Sequence, residues 1–220
     1  MKQRNRLLAI PMLLGLTASL ANAAVYSVDV VRNGGPIGVS GNVAGSPFAG
    51  QTGPWNAFNG NTRVALTNLT DGAGGTSTVG LSAMFSGTTG FQASGNSAPA
   101  VLAADNPERL WVTGTGSMLT LVFSGLSIGG AYDLAIFNTG SAKGTITING
   151  GTTHTGVSTI FTSSEVADGS GKITAVVGFV GGAHTDYMEV SGLQLQTIPE
   201  PSALALLGLT GLGLIRRRRN

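Results

Sequence analysis

Apolar residues recur at every second position through the middle of this chain. A period of two commits a segment to extended backbone, because alternate side chains of a strand leave on opposite faces. Tyr26, Val28 and Val30 alternate with Ser27, Asp29 and Val31. Leu119, Leu121 and Phe123 alternate with Thr120 and Val122, and Tyr132, Leu134 and Ile136 follow the turn Gly129-Gly130. Ile146 and Ile148 alternate with Thr145 and Thr147 before Asn149-Gly150, a dipeptide suited to a hairpin turn. Ile173, Ala175, Val177 and Phe179 form another inward face. Met188 and Val190 share one phase while Leu193 and Leu195 take the other, so a bulge is expected at Ser191-Gly192.

No window between Ala23 and Pro199 has a helical period. About ten strands at roughly 8–12-residue spacing predict an all-β fold, an antiparallel β-sandwich of the jelly-roll kind. Glycine supplies 35 of 220 residues, over twice ordinary usage, which reads as many tight turns. Two stretches are looser: Arg32 to Gly60 alternates weakly, and Gly87 to Pro99 reads as a long loop.

Both ends depart from this pattern. Lys2, Arg4 and Arg6 precede an apolar run from Leu7 to Leu20 and a small-x-small site at Ala21-Asn22-Ala23. That order is a secretory signal peptide over residues 1–23, to be removed by signal peptidase. The body, 24–197, then holds five Lys and Arg against nine Asp and Glu, a net of −4. The basic character of the precursor therefore belongs to its ends. An acidic body without a basic patch predicts no nucleic-acid partner. Cysteine is absent, which excludes disulfides, thiol catalysis and thiolate metal sites. A body of about 175 residues is long enough to support its own core.

The last segment, 198–220, reads Ile198-Pro199-Glu200-Pro201, an apolar run 202–215, then Arg216, Arg217, Arg218, Arg219 and Asn220. Pro199 and Pro201 can only precede a helix. About fourteen helical residues at about 1.5 Å each reach roughly 21 Å, short of a hydrocarbon core of roughly 30 Å. The prediction is a marginal transmembrane helix extended by snorkelling arginines, which hold it to the cytoplasmic side and place the body outside.

Pro199-Glu200-Pro201, the apolar run and the arginine cluster, in that order, resemble the sorting signal of PEP-CTERM proteins. The resemblance implies export from a Gram-negative bacterium that makes extracellular polysaccharide. It also implies transient anchoring in the inner membrane, recognition by an exosortase and cleavage near the Pro-Glu-Pro. Within the body, Gly53-Pro54-Trp55-Asn56, Phe123-Ser124-Gly125-Leu126, Asp168-Gly169-Ser170-Gly171 and Val190-Ser191-Gly192-Leu193 are similar to bacterial surface β-sandwiches of the galactose-binding-like type. That likeness implies a fold and no activity.

Few side chains in the body suggest chemistry. Gly125-Leu126-Ser127-Ile128-Gly129 has the Gly-x-Ser-x-Gly spacing of a nucleophile elbow, followed in triad order by Asp133, Asp168 and His184. An elbow needs a helix after the serine, and Ala131 to Phe137 alternates as a strand, so a hairpin turn is expected there. His154 and His184 lack the spacing of a transition-metal site. Asp105 with Glu108 and Asp186 with Glu189 are the nearest carboxylate pairs, and acids in Gly-rich loops generally shape turns. Asp168-Gly169-Ser170-Gly171 and Asp71-Gly72 offer oxygen ligands, which makes Asp168 a weak calcium candidate in a chain otherwise expected to need no cofactor. Trp55, Trp111 and Tyr187 are the candidates for stacking on a sugar ring.

Together these readings predict an exported, non-enzymatic surface or extracellular-matrix protein, a structural or adhesive component associated with exopolysaccharide. A carbohydrate-binding module is the alternative, and a hydrolase using Ser127 or a carboxylate pair ranks below both.

Overall fold

Thirteen strands run through the described residues of the computed structural model, which are 23–31, 48, 55–92, 109–137, 144–156, 160–179 and 187–199. In chain order they are β1 (Val25–Val31), β2 (Asn56–Asn59), β3 (Gly80–Ser86), β4 (Thr89–Gln92), β5 (Arg109–Val112), β6 (Met118–Ser124) and β7 (Ala131–Phe137). There follow β8 (Gly144–Ile148), β9 (Thr153–Thr155), β10 (Ile160–Val166), β11 (Ile173–Phe179), β12 (Met188–Val190) and β13 (Gly192–Thr197). They assemble as two five-stranded sheets, β10-β7-β13-β1-β2 and β3-β6-β11-β8-β9, and a three-stranded sheet β12-β5-β4. All belong to one compact unit, Ala23–Ile198. The expected signal peptide, apolar helix and arginine cluster lie outside the described residues. Among the described residues no helix is long and apolar enough to cross a membrane.

The alternation read from the sequence is what closes the sandwich. Val28, Leu134, Ile136 and Leu195 from the first sheet share one buried cluster with Leu119, Leu121, Ile146, Ile173 and Val177 from the second. Leu110, Val112, Met188 and Val190 bring the three-stranded sheet into the same cluster. Burying an aliphatic side chain of this size contributes about 1.5–3 kcal/mol, so the periodic apolar faces are the main driving force of the fold.

Three expectations need correction. The sandwich is not purely antiparallel, since β1 and β2 pair in parallel through Val28↔Asn56 and Val30↔Phe58. Asn56 holds this pairing: its side-chain amide donates to the Ser27 and Thr70 carbonyls, both at 2.9 Å, and accepts from the Thr70 amide at 2.8 Å. The segment from Gly87 is not wholly loop, because β4 lies within it. Gly125 to Gly130 is not a hairpin either. β6 and β7 stand in different sheets, so the turn is an arch carrying the chain across the sandwich.

The Ser191-Gly192 slip has a double role. The Ser191 amide donates to the Phe137 carbonyl, against which Gly192 is also registered, so two residues oppose one as in a bulge. At the same point the chain leaves the three-stranded sheet and enters the five-stranded one. Asn149-Gly150 forms the expected hairpin between β8 and β9, with φ of 49° and 68° and the Gly151 amide bonded to the Ile148 carbonyl. Positive φ at both central residues suits asparagine and glycine and few others.

The outward face of β3-β6-β11-β8-β9 has a distinct composition. One row across it runs Met84, Thr120, Val176, Thr147, Thr153. The next runs Ser86, Met118, Gly178, Thr145, Thr155. No outward position within these five strands carries a charge.

Candidate functional site

Two of the three aromatic candidates meet on the three-stranded sheet. In β5 the alternation sends Leu110 and Val112 into the core and turns Arg109 and Trp111 to the other face. β12 does the same with Met188 and Val190 inward, and the register Glu189↔Trp111 sets Glu189 beside the indole. Tyr187, two residues before Glu189, reaches the same face. Its ring lies 5.9 Å from that of Trp111 at 65°, an edge-to-face arrangement of the kind that contributes about 0.5–1.5 kcal/mol. Tyr187 is 39% exposed and Trp111 is half-buried.

Gly90 makes room for the indole. It is the cross-strand partner of Trp111 on β4, and a Cβ there would stand 2.3 Å from Cζ2 and 2.8 Å from Nε1. The bare backbone of β4 thus forms the floor on which Trp111 lies. Beside it, Arg109 Nε and Glu189 Oε1 are 2.9 Å apart with both side chains almost fully buried. Removing one member of such a pair strands a charge out of water, so the pair fixes the surface beneath the aromatics. This arrangement offers an aromatic edge and face suited to stacking on the C–H face of a ring.

Trp55 is elsewhere. It is 2% exposed and packs with Val25, Phe48, Ala135 and Phe137 on the far side of the first sheet, 5.9 Å from the Phe137 ring. The expectation that it forms a ligand platform is corrected by that burial, which leaves no face for a sugar. Its neighbourhood does contain a cavity of about 270 Å³, lined by Phe48, Asp133, Leu134, Thr162, Ser163 and Ser164. Ser164 donates to Asp133 Oδ1 at 2.5 Å there. Thr162 and Ser164 escaped the sequence reading because hydroxyls on alternate strand positions look like any solvated face.

The remaining candidates act as turn formers. Ser127 is exposed in the arch between β6 and β7; its amide donates to the Tyr132 hydroxyl at 2.9 Å, and its carbonyl accepts from Gly130. A strand, not a helix, follows it, so the oxyanion geometry of an elbow is missing there. Asp168 Oδ1 accepts from the Ser170 hydroxyl and amide, both at 2.8 Å, and from the Lys172 amide at 3.0 Å. The Ser170 bonds, then the Lys172 amide, hold its carboxyl below the usual range. Asp71 Oδ1 likewise accepts from the amides of Ala73 and Gly75. Burial pushes the Tyr26 phenol up, and nearby Asp71 adds to the rise against a lowering bond with Ser77.

Among the described residues no three His, Asp or Glu side chains gather as a metal site. His154 sits on the edge strand β9, its ring 5.0 Å from Phe161. His184, Asp186, Asp105, Glu108, Glu200, Pro201 and the four arginines lie outside the described residues. Pro199 is exposed, just past the last strand.

The geometry defines a β-sandwich protein with an aromatic pair on a short third sheet. The particular assignment comes from the tail: residues 197–219 are a PEP-CTERM protein-sorting motif. The chain therefore carries an export and sorting signal of the exosortase type, and that signal starts at the last residue of β13. No curated protein matches the sequence. Among solved structures the chain is similar to the ANX2 ectodomain of Arabidopsis thaliana, at 15% identity and TM-score 0.42 over 81% of this chain and 50% of that one. It is similar to a Podospora anserina GH26-CBM35 β-(1,4)-mannanase at 13% and 0.35, covering 55% of this chain and 27% of that one. It is also similar to the CBM36-1 domain of a xylanase from the Trinervitermes trinervoides hindgut metagenome, at 16% and 0.29 over 52% and 95%.

Proposed function

We propose that this protein is a non-enzymatic component of the cell surface or extracellular matrix, associated there with exopolysaccharide. A signal peptidase trims residues 1–23, the C-terminal segment holds the chain transiently in the inner membrane, and an exosortase-type enzyme removes it. The reading includes no cofactor and no nucleic-acid partner. The observation that carries it is the sorting motif at residues 197–219, which begins where the folded body ends. Intact mass spectrometry of the protein recovered from medium, envelope and membrane tests it. The expected mature chain starts near Ala24 and lacks Arg216 to Arg219. A mature chain that keeps those arginines overturns the sorting-and-cleavage reading and leaves a permanent anchor.

A second reading, a carbohydrate-binding module, draws on the contact between Trp111 and Tyr187. Trp111→Ala and Tyr187→Ala should each weaken retention on a glycan column while leaving the fold intact. Unchanged retention in both variants removes this reading's support.

A further inference from the structure

The outward face of the β3-β6-β11-β8-β9 sheet differs from an ordinary solvated sheet face. Solvent-facing strand positions in acidic proteins commonly carry charge, because ions cost nothing where water reaches them. Here all outward positions within the five strands are Thr, Ser, Gly, Val or Met. The charges of the described body sit on other surfaces. Among the described residues the one cation in phase with the face is Lys172, a residue before β11 begins, and Asp168 interacts with it. Met84 and Met118 are 59% and 43% exposed on this face, and β9 is exposed along its length.

We infer that this face is a docking surface for an uncharged polysaccharide strand. The inference rests on the exopolysaccharide association proposed above and names the surface and the class of polymer. Charge selects the class. A body of net −4 repels polyanions, and strands that carry no cation on this face offer them little in return. An uncharged polymer meets no such penalty. Hydroxyls both donate and accept, so Thr and Ser can match the hydroxyls of sugars in either sense. The 2.7 Å contact between the Thr147 and Thr153 hydroxyls demonstrates such pairing within the face itself. Threonine methyls, Val176 and the pliable Met84 and Met118 supply contact for sugar C–H groups.

Area argues against a second copy of the chain as the occupant. Five strands about 4.8 Å apart span about 19 Å, and the longest of them, seven residues at about 3.3 Å, span about 23 Å, so the face covers at most roughly 440 Å². Two such faces would bury about 900 Å², below the roughly 1,200 Å² of a stable protein pair. A long polymer has no such threshold, because it accumulates many weak contacts along its length.

The test is co-sedimentation of the exported protein with an insoluble uncharged glucan and, separately, with alginate beads as the anionic probe. It uses the wild type, the double variant Thr120→Glu/Thr147→Glu, the conservative Thr147→Ser and Trp111→Ala, each with its thermal transition checked. The wild type should sediment with the glucan and not with alginate. Setting two unpartnered charges against a neutral polymer should weaken that retention by about tenfold or more. Thr147→Ser, which keeps the hydroxyl, should retain. If the double variant unfolds, Met84→Glu on the same row replaces it, with the same loss expected. Glucan retention that survives the charge variants but fails in Trp111→Ala overturns the face and leaves the association standing. Wild type that prefers alginate overturns the neutral-polymer assignment. Wild type that binds neither polymer overturns the association, and the face with it.

Discussion

Replacing Gly90 by alanine isolates the contact that holds the aromatic pair. The new Cβ would lie 2.3 Å from Trp111 Cζ2, whereas ordinary contact begins near 3.4 Å, so the indole must retreat by about 1 Å. The backbone is no obstacle, since Gly90 is not among the glycines with positive φ. All of the cost therefore falls on the indole and on its edge-to-face contact with Tyr187. Overpacking of this degree costs about 1–3 kcal/mol. For a body of this size that is a fall of about 2–12 °C in Tm, at about 2–4 °C per kcal/mol. Urea denaturation and near-ultraviolet circular dichroism, which reports the environments of the ordered aromatics, Trp111 among them, would measure it. The decisive comparison is the same change made in a Trp111→Ala background. There the clash is gone, and alanine should be neutral or stabilising by about 0.5–1 kcal/mol, because glycine weakens a strand. Equal destabilisation in both backgrounds would refute the idea that Gly90 exists to seat the indole.

Glu189→Gln should cost about 3–5 kcal/mol by leaving the Arg109 charge buried, and the double variant Arg109→Met/Glu189→Leu should recover most of the loss in urea titrations. Trp55→Ala should cost about 3–5 kcal/mol as a core truncation, with glycan retention unchanged among the molecules that remain folded. Asp168 has a folded-state pKa below its unfolded value, so its contribution is present above the unfolded pKa and lost as pH falls through the folded one. Asp168→Asn should therefore remove part of the acid-side decline in urea midpoint and change nothing in the direction of the curve at neutral pH.

Strand positions were legible in the sequence wherever one face is buried and the next residue is not. Leu119, Leu121 and Phe123, or Ile173, Ala175 and Val177, leave no other choice. β1 with β2 was harder, because nothing in a period of two states whether the partner runs parallel; that is decided by Asn56 reaching the Ser27 and Thr70 carbonyls. The arch at Gly125 to Gly130 has the same residues as a hairpin, and only the destination of β7 tells them apart. Trp111 and Tyr187 could be picked out singly as aromatics near loops, but their meeting depends on the Glu189↔Trp111 register. Trp55 misled for a related reason. Its Gly-Pro-Trp-Asn setting reads as a loop, yet the outer side of the first sheet has its own small core around Ala135 and Phe137, and the indole fills it.

The order β10-β7-β13-β1-β2 puts the last strand of the body at the centre of its sheet. Until residues 192–197 arrive, β7 and β1 have no common neighbour, and the Ala24 amide has no Thr197 hydroxyl to meet across a separation of 173 residues. Closure over such a separation is slow and cannot begin on a truncated chain. The sorting motif starts at residue 197. A chain that presents this motif has therefore already delivered the strand that completes its fold, and a chain cut short before residue 192 would lack the motif and the central strand together.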